Sequence, residues 1–350
     1  MTPQVQVPVD DLLPTPPTVL FDDGPVLARY PRLREFRDQM GNTSLVPVPS
    51  PPGGATILAK CEFENPAGSV KDRPAYAMLC QAVLDHGDDD RPLQLLDYSG
   101  GSLVRAFAVL RTLTNIPMRF AVPASIPYTW RRIVEEAGVQ LDLVDPATGI
   151  MGTVERAWQL RREYPGWTML HQIRNTANLV MHEHTTGREI VEQLAGRRAA
   201  AWVAAVGTGG TLAGVGRALR RAYPDVRIVS NTPHEMPFGT PEPPNGRLRF
   251  AGSGGLGHGL RQPMVADLVP DAEHRTVPYE DVLAGMVTFE RLTDRRIGTS
   301  AAANWLVSWS LAERLSPDEF VVTLFADAGA PEEWQRAYEH RDAVSQARDL

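Results

Sequence analysis

The sequence predicts an α/β protein built as two three-layer α/β domains with parallel sheets and a cleft between them. Three observations carry that expectation. From about Gly41 onward, short apolar runs alternate with helical stretches, the signature of βα units around parallel sheets. Ala200–Val206 is apolar throughout, as a strand buried on both faces is. Two such series lie on either side of about residue 175, and 350 residues suit about two domains.

In chain order, residues 1–40 are rich in proline and acidic residues, with only a short pattern over Val26–Met40, and read as an arm. Thr56–Phe63 reads as a strand and Lys71–Asp85 as a helix. Leu93–Tyr98, Met118–Val122 and Val139–Val144 read as strands, with helices over Leu103–Leu113 and near Thr129–Ala137. Helical patterns cover Met151–Glu163 and Glu183–Leu194. After the apolar Ala200–Val206 run come a helix to Tyr223 and the strand Val226–Ser230. Asn231–Arg249, with five prolines among polar residues, reads as a long loop. Helices near Tyr279–Thr293 and Ala301–Leu315 and the strand Phe320–Phe325 follow.

Composition excludes several classes. With 43% hydrophobic and 22% charged residues the chain is an ordinary globular protein, not a disordered or fibrous one. No apolar run approaches the roughly 18 residues of a membrane helix. A net charge of −7 with scattered basic residues argues against a nucleic-acid partner. The first 25 residues carry Asp10, Asp11, Asp22 and Asp23 and show no secretory signal pattern. Cys61 and Cys80 suit buried thiols in a reducing compartment, so a cytoplasmic location is expected. His182-Glu183-His184 has a spacing that does not share one helix face, and no metal site is expected. Trp305 and Trp309 read as core.

Of 35 basic residues only Lys60 and Lys71 are lysines. An arginine side chain cannot lose its proton in a protein, whereas a lysine amine can and then attacks carbonyls. Lys71 lies in Asn65-Pro66-Ala67-Gly68-Ser69-Val70-Lys71-Asp72-Arg73, a strand-to-helix turn, and is expected in the first helical turn. The helix dipole there disfavours a cation and lowers its pKa. Lys60 lies within a strand, where it can snorkel or pair with a carboxylate.

Gly207-Thr208-Gly209-Gly210-Thr211 follows the buried strand and opens a helix, a geometry that gathers backbone N–H groups around an anion. A plain tight turn is the alternative. No GK[ST] occurs, and Leu212 stands where the dinucleotide fingerprint needs glycine or alanine, so a small monophosphate fits better than a nucleotide. A lysine amine with a monophosphate cradle suggests pyridoxal 5′-phosphate held as a Schiff base.

With these residues the chain resembles the cysteine synthase and cystathionine β-synthase family, enzymes of the tryptophan synthase β-like fold (fold type II). The matching segments are Gly41–Val46 (GNTSLV), Asn65–Arg73, Gln172–Ile190 (QIRNTANLVMHEHTTGREI), Val206–Val215 (VGTGGTLAGV) and Gly298–Ala303 (GTSAAA). The resemblance implies that pyridoxal 5′-phosphate lies in the cleft between the domains. It further implies that Lys71 forms the Schiff base, that Gly207–Thr211 hold the phosphate and that Ser300 hydrogen-bonds the pyridine nitrogen. A hydroxyl partner does not hold that nitrogen protonated; the alternative role for Ser300 is an N-cap. The segment matching the family's substrate-carboxylate loop is Tyr98-Ser99-Gly100-Gly101-Ser102-Leu103. Ser99, Gly100, Gly101 and Ser102, with Gln172 facing them, are the expected substrate contacts. Gly101 replaces the family's asparagine, which is expected to remove one cofactor contact and to widen the pocket.

The resemblance implies a smaller domain over 54–175, a larger one over 41–53 and 176–340, and a homodimer. It implies β-replacement on a serine-derived amino acid, O-acetylserine or O-phosphoserine with sulfide or another nucleophile, through an aminoacrylate. Alternatives are a β-elimination lyase and a non-catalytic cofactor-binding paralogue. Ala251–Gly259 (AGSGGLGHG) reads as a cleft wall or a surface loop, with His258 an acid–base candidate.

Overall fold

The computed structural model describes residues 15–87, 89–240, 257 and 259–348. Helices α1 (Gly24–Arg29) and α2 (Leu33–Gln39) precede strands β1 (Leu45–Val48) and β2 (Thr56–Cys61). Then come α3 (Asp72–His86), β3 (Leu95–Tyr98), α4 (Ser102–Thr114), β4 (Met118–Pro123), α5 (Tyr128–Glu136) and β5 (Gln140–Val144). They are followed by α6 (Gly149–Glu163) and β6 (Thr168–Met169). α7 (Thr176–Met181) and α8 (Gly187–Leu194) are joined by a π-helical turn over His182–Thr186. β7 (Ala199–Ala205), α9 (Gly210–Ala222) and β8 (Arg227–Pro233) come next. The remaining elements are α10 (Pro263–Leu268), β9 (Glu273–Val277), α11 (Tyr279–Thr293), α12 (Thr299–Ala312), β10 (Phe320–Phe325) and α13 (Pro331–Arg348).

Two sheets organise these elements. A six-stranded sheet has the order β1-β2-β10-β7-β8-β9, parallel except for β1, and a four-stranded sheet has the order β5-β4-β3-β6, parallel throughout. The central strands β2, β10 and β7 are nearly wholly buried, which accounts for their mainly apolar sequences. The edges are blunted: β1 carries Pro47, and β9 exposes charged residues. Apolar clusters cover both faces of the larger sheet, and two more cover the smaller one. Trp305 and Trp309 meet edge to face, with Trp305 in the core.

The α/β architecture with parallel sheets is the one expected, and several boundaries differ. β2 lies in the six-stranded sheet, paired with β10, and not in the smaller unit that the expected boundary at 54 assigned it to. Residues 24–39 are not an extended arm, because Val26, Leu27, Leu33 and Phe36 enter the core beside α3 and α4. The stretch expected as a loop from Asn231 begins inside β8, and residues 241–249 lie outside the described residues, as do 251–256 and His258. Among the described residues no helix is long and apolar enough to cross a membrane.

α9 lies very close to the α7–α8 segment because two glycines permit it. A Cβ on Gly187 would stand 2.5 Å from Ala218 Cβ, and one on Gly214 would stand 2.5 Å from the Leu179 carbonyl oxygen. Gly214→Ala is therefore expected to destabilise the protein by about 1–3 kcal/mol, because the obstacle is backbone. Thermal or urea unfolding against wild type measures this, and an unchanged midpoint would contradict the close approach.

Candidate active site

The site begins with the end of β2. The chain leaves that strand through a 3₁₀ turn at Glu62–Glu64 and enters α3 at Lys71, which occupies the N-cap position and not the first helical turn. The loop is tied internally. The Asn65 amide donates to the Glu62 carbonyl (2.9 Å) and its carbonyl accepts from Gly41 N–H (2.9 Å), while Gly68 takes a positive φ of 81°. Arg73, fully buried, forks onto two carboxylates: Nε to Glu62 (2.7 Å) and Nη1 to Glu189 (2.6 Å). Lys60 pairs with Glu189 at 2.7 Å, so of the two lysines it is the one held in an ion network.

Lys71 instead lines a cavity of about 810 Å³ at the carboxyl ends of the parallel strands. That is where an open α/β sheet binds ligands. Burial lowers the Lys71 pKa from its ordinary value, and Asp327 pulls the other way. Burial, more than the helix dipole, drives the amine toward its neutral form.

On one side of the amine stand Ser99, Gly100, Gly101, Ser102 and Gln172. The Ser99 hydroxyl accepts the N–H groups of Gly101 (3.0 Å) and Val104 (3.2 Å), closing the start of α4. Ser102 donates to Asp327 at 3.2 Å, and the Gln172 amide donates to the Tyr98 carbonyl. Gly101 does not widen the pocket as expected. A Cβ there would lie 2.7 Å from Trp130 Cζ3, so the indole fills the space that the missing side chain leaves. Arg105 stacks over that indole at 4.6 Å and donates to the Ala67 carbonyl, linking it back to the lysine loop.

On the other side a deeper cavity of about 400 Å³ is lined by Lys71, Gly207, Thr208, Gly209, Thr211 and Ser300. Gly209 caps α9 with φ 90°, a conformation suited to glycine. A Cβ on Gly207 would meet nothing within 4 Å, so the turn is open toward the cavity. Gly210 is off the wall: a Cβ there would lie 2.3 Å from Asn178 Oδ1, and Asn178 donates to Thr208 at 2.8 Å. Ser300 is in the first turn of α12 after Gly298.

Sequence reasoning missed Trp130, Asn178, Gln262, Asp327 and Glu333, of which all but Asn178 line the larger cavity. Asp327 had a signal, since it follows the carboxyl end of a parallel strand. Glu333, in the first turn of α13, is buried; its carboxylate accepts from Thr299 (3.3 Å) and from Ala330 N–H (2.9 Å). Burial, together with the nearby Asp327, pushes its pKa up to about 8.

A buried amine facing a glycine-rich helix start across one cavity is the equipment of an enzyme that carries a phosphorylated aldehyde cofactor, and the open turn and the Lys71 amine beside it fit that group. The chain belongs to the pyridoxal-phosphate dependent enzyme family, whose model matches residues 36–327. Its cofactor is pyridoxal 5′-phosphate. Over 240 residues it is 30% identical to a cysteine synthase of Staphylococcus aureus strain N315, covering 66% of this chain and 77% of that one. A probable cysteine synthase of Bacillus subtilis is 29% identical over 301 residues, 83% of this chain and 93% of that one. The fold matches a solved O-ureido-L-serine synthase holding O-ureido-L-serine, with a TM-score of 0.77 and 25% identity over 90% of this chain and 98% of that one.

Glu189 supplies a test of the ion network. Burial raises its pKa, but Arg73 and Lys60 outweigh burial and hold it at about 2. Its stabilising contribution is complete above the unfolded value of roughly 4.5 and is lost as pH falls toward about 2. Glu189→Gln is expected to flatten that acid limb and, by leaving buried cations short of a partner, to cost about 3–5 kcal/mol at pH 7. Urea unfolding across pH 2.5–7 measures both, and parallel wild-type and variant curves would refute the assignment.

Proposed function

We infer that the protein is a pyridoxal-phosphate dependent enzyme of β-replacement or β-elimination. Within that class we propose β-replacement on a serine-derived amino acid, O-acetylserine or O-phosphoserine, with sulfide or another nucleophile as the incoming group. The observation that carries the reading is Lys71: a buried amine of lowered pKa between the Ser99–Ser102 loop and the Gly207–Thr211 turn. The similarity to cysteine synthases and to O-ureido-L-serine synthase supports replacement over elimination.

When bound, the cofactor supplies an electron sink for the bond broken at the substrate's α-carbon. Lys71 would hold the cofactor through Nζ, and the same nitrogen would accept the substrate's α-proton. Its burial favours the neutral amine, whose lone pair can take a proton. The N-terminal turn of α4 and the Gln172 amide bind and orient the substrate carboxylate, using helix N–H groups that have no partner within the helix. The turn Gly207, Thr208, Gly209, Gly210 and Thr211 would hold the phosphate, and Ser300 would hydrogen-bond the ring nitrogen. Trp130 and Leu103 exclude water from the wall opposite Ser300.

Purified enzyme given O-acetylserine, O-phosphoserine, serine or cysteine, with and without sulfide, tests the reading. Replacement yields a new β-substituted amino acid with one serine ester; keto acid and ammonia in its place would assign elimination. Lys71→Ala is expected to abolish the visible band of the loaded enzyme and to reduce turnover by about 10²–10⁴-fold, the range for a lost general base. Retention of both would remove Lys71 from the mechanism.

A further inference from the structure

We infer that His182 is a positioning residue for the cofactor phosphate, turning the Thr211 hydroxyl so that it donates toward the cavity. The inference rests on the reading that the Gly207–Thr211 turn holds that phosphate.

His182 opens the π turn between α7 and α8, a local irregularity of a kind often found at functional sites. The ring is fully buried and stands between two hydroxyls: Nδ1 is 3.0 Å from Thr186 Oγ1, and Nε2 is 3.1 Å from Thr211 Oγ1. Thr211 in turn lines the deeper cavity beside Gly207, Thr208 and Gly209. α9 packs closely against the residue, since a Cβ on Gly214 would come within 2.9 Å of His182 Cβ.

Burial, with Arg73 and Lys71 adding to it and Glu189 opposing, lowers the His182 pKa well below its ordinary value. The ring is therefore neutral and carries one N–H and one acceptor nitrogen. Only two arrangements satisfy both hydroxyls. With the proton on Nε2, the ring donates to Thr211 Oγ1 and accepts from Thr186 at Nδ1; the Thr211 O–H is then free to donate into the cavity. With the proton on Nδ1, Thr211 gives its single hydrogen to the ring and turns oxygen lone pairs toward the cavity. A phosphate group is an acceptor, so the first arrangement attracts it and the second repels it. His182 thus couples the turn's hydrogen-bond polarity to its own tautomer without touching the ligand.

Four variants and one spectrum test this on the full chain, with pyridoxal 5′-phosphate affinity read by fluorescence and the phosphate environment by ³¹P NMR. Thr211→Val and His182→Phe are each expected to weaken cofactor binding by about 10-fold, the worth of a hydrogen bond to a charged group, and to shift the ³¹P resonance. The double variant H182F/T211V is expected to be no weaker than T211V alone, because one residue acts through the other. His182→Gln, whose amide can still donate to Thr211, is expected to bind within about 3-fold of wild type. In the ¹⁵N-histidine spectrum of the wild-type holoenzyme, the resonance that is missing from the His182→Gln spectrum is expected to carry its proton on Nε2. A proton on Nδ1, or an effect of T211V with none from H182F, would overturn the role of His182 while leaving the phosphate turn intact. No effect from either substitution would remove the phosphate from the turn and the inference with it.

Discussion

The buried guanidinium of Arg73 is the interaction on which the site's geometry depends. It bridges Glu62, at the end of β2, to Glu189, on α8, and so fixes the loop that delivers Lys71 against the segment that faces the phosphate turn. Burying three charged groups is tolerable only because nearly every donor and acceptor is used: Arg73 contributes four short hydrogen bonds, and Lys60 adds an ion pair to Glu189. Lys60 also explains why this arginine-rich chain keeps a second lysine. Its ammonium reaches three acceptors in different directions, the Thr43 carbonyl, Gln193 Oε1 and Glu189 Oε2. A planar guanidinium cannot serve that arrangement. Each lysine stands where arginine would fail, one for its geometry and one for its removable proton.

The parts of the fold that could be read from sequence are those in which one physical signal dominates. β10 and α11 fall on their expected residues because both-face burial and helical periodicity are strong there. β1 and β9 escaped detection because edge strands are built against pairing: a proline in one and charges in the other suppress the apolar signal. α1 and α2 are short and proline-flanked, and their core contacts are tertiary. The lysine loop and the glycine-rich turn were legible because chemistry restricts the residue types there. Trp130 and Glu333 were not. They reach the cavity from helices far along the chain, and only the folded geometry sets them beside Gly101 and Thr299.

The two walls of the cavity are built on different terms. The wall at Gly207–Thr211 is backbone shaped by glycines, with Asn178 and His182 in hydrogen-bond contact with its two threonine hydroxyls. The other wall carries the Ser99–Ser102 segment. The Ser99 hydroxyl is committed to the α4 backbone and Ser102 to Asp327, and an indole fills the space beside Gly101 where a wider pocket was expected. Recognition on that wall falls to backbone N–H groups and to shape, with fewer side-chain hydroxyls free to contribute.

Charge follows the same division. Burial pushes Asp97 up to about 8 and Asp72 up to about 7, Glu333 stands near 8, and Lys71 is lowered. Burial therefore favours the protonated carboxyl at Asp97 and Glu333 around neutral pH and shifts Lys71 toward its neutral amine. Ligands that bring a phosphate and a carboxylate then meet helix N-termini and oriented dipoles, whose fields are fixed before binding and need no counter-ion to rearrange. Arg73 and Lys60 are neutralised by Glu62 and Glu189 one layer below. The buried ion network can thus fix the lysine loop in place without presenting an unneutralised cation to the cavity.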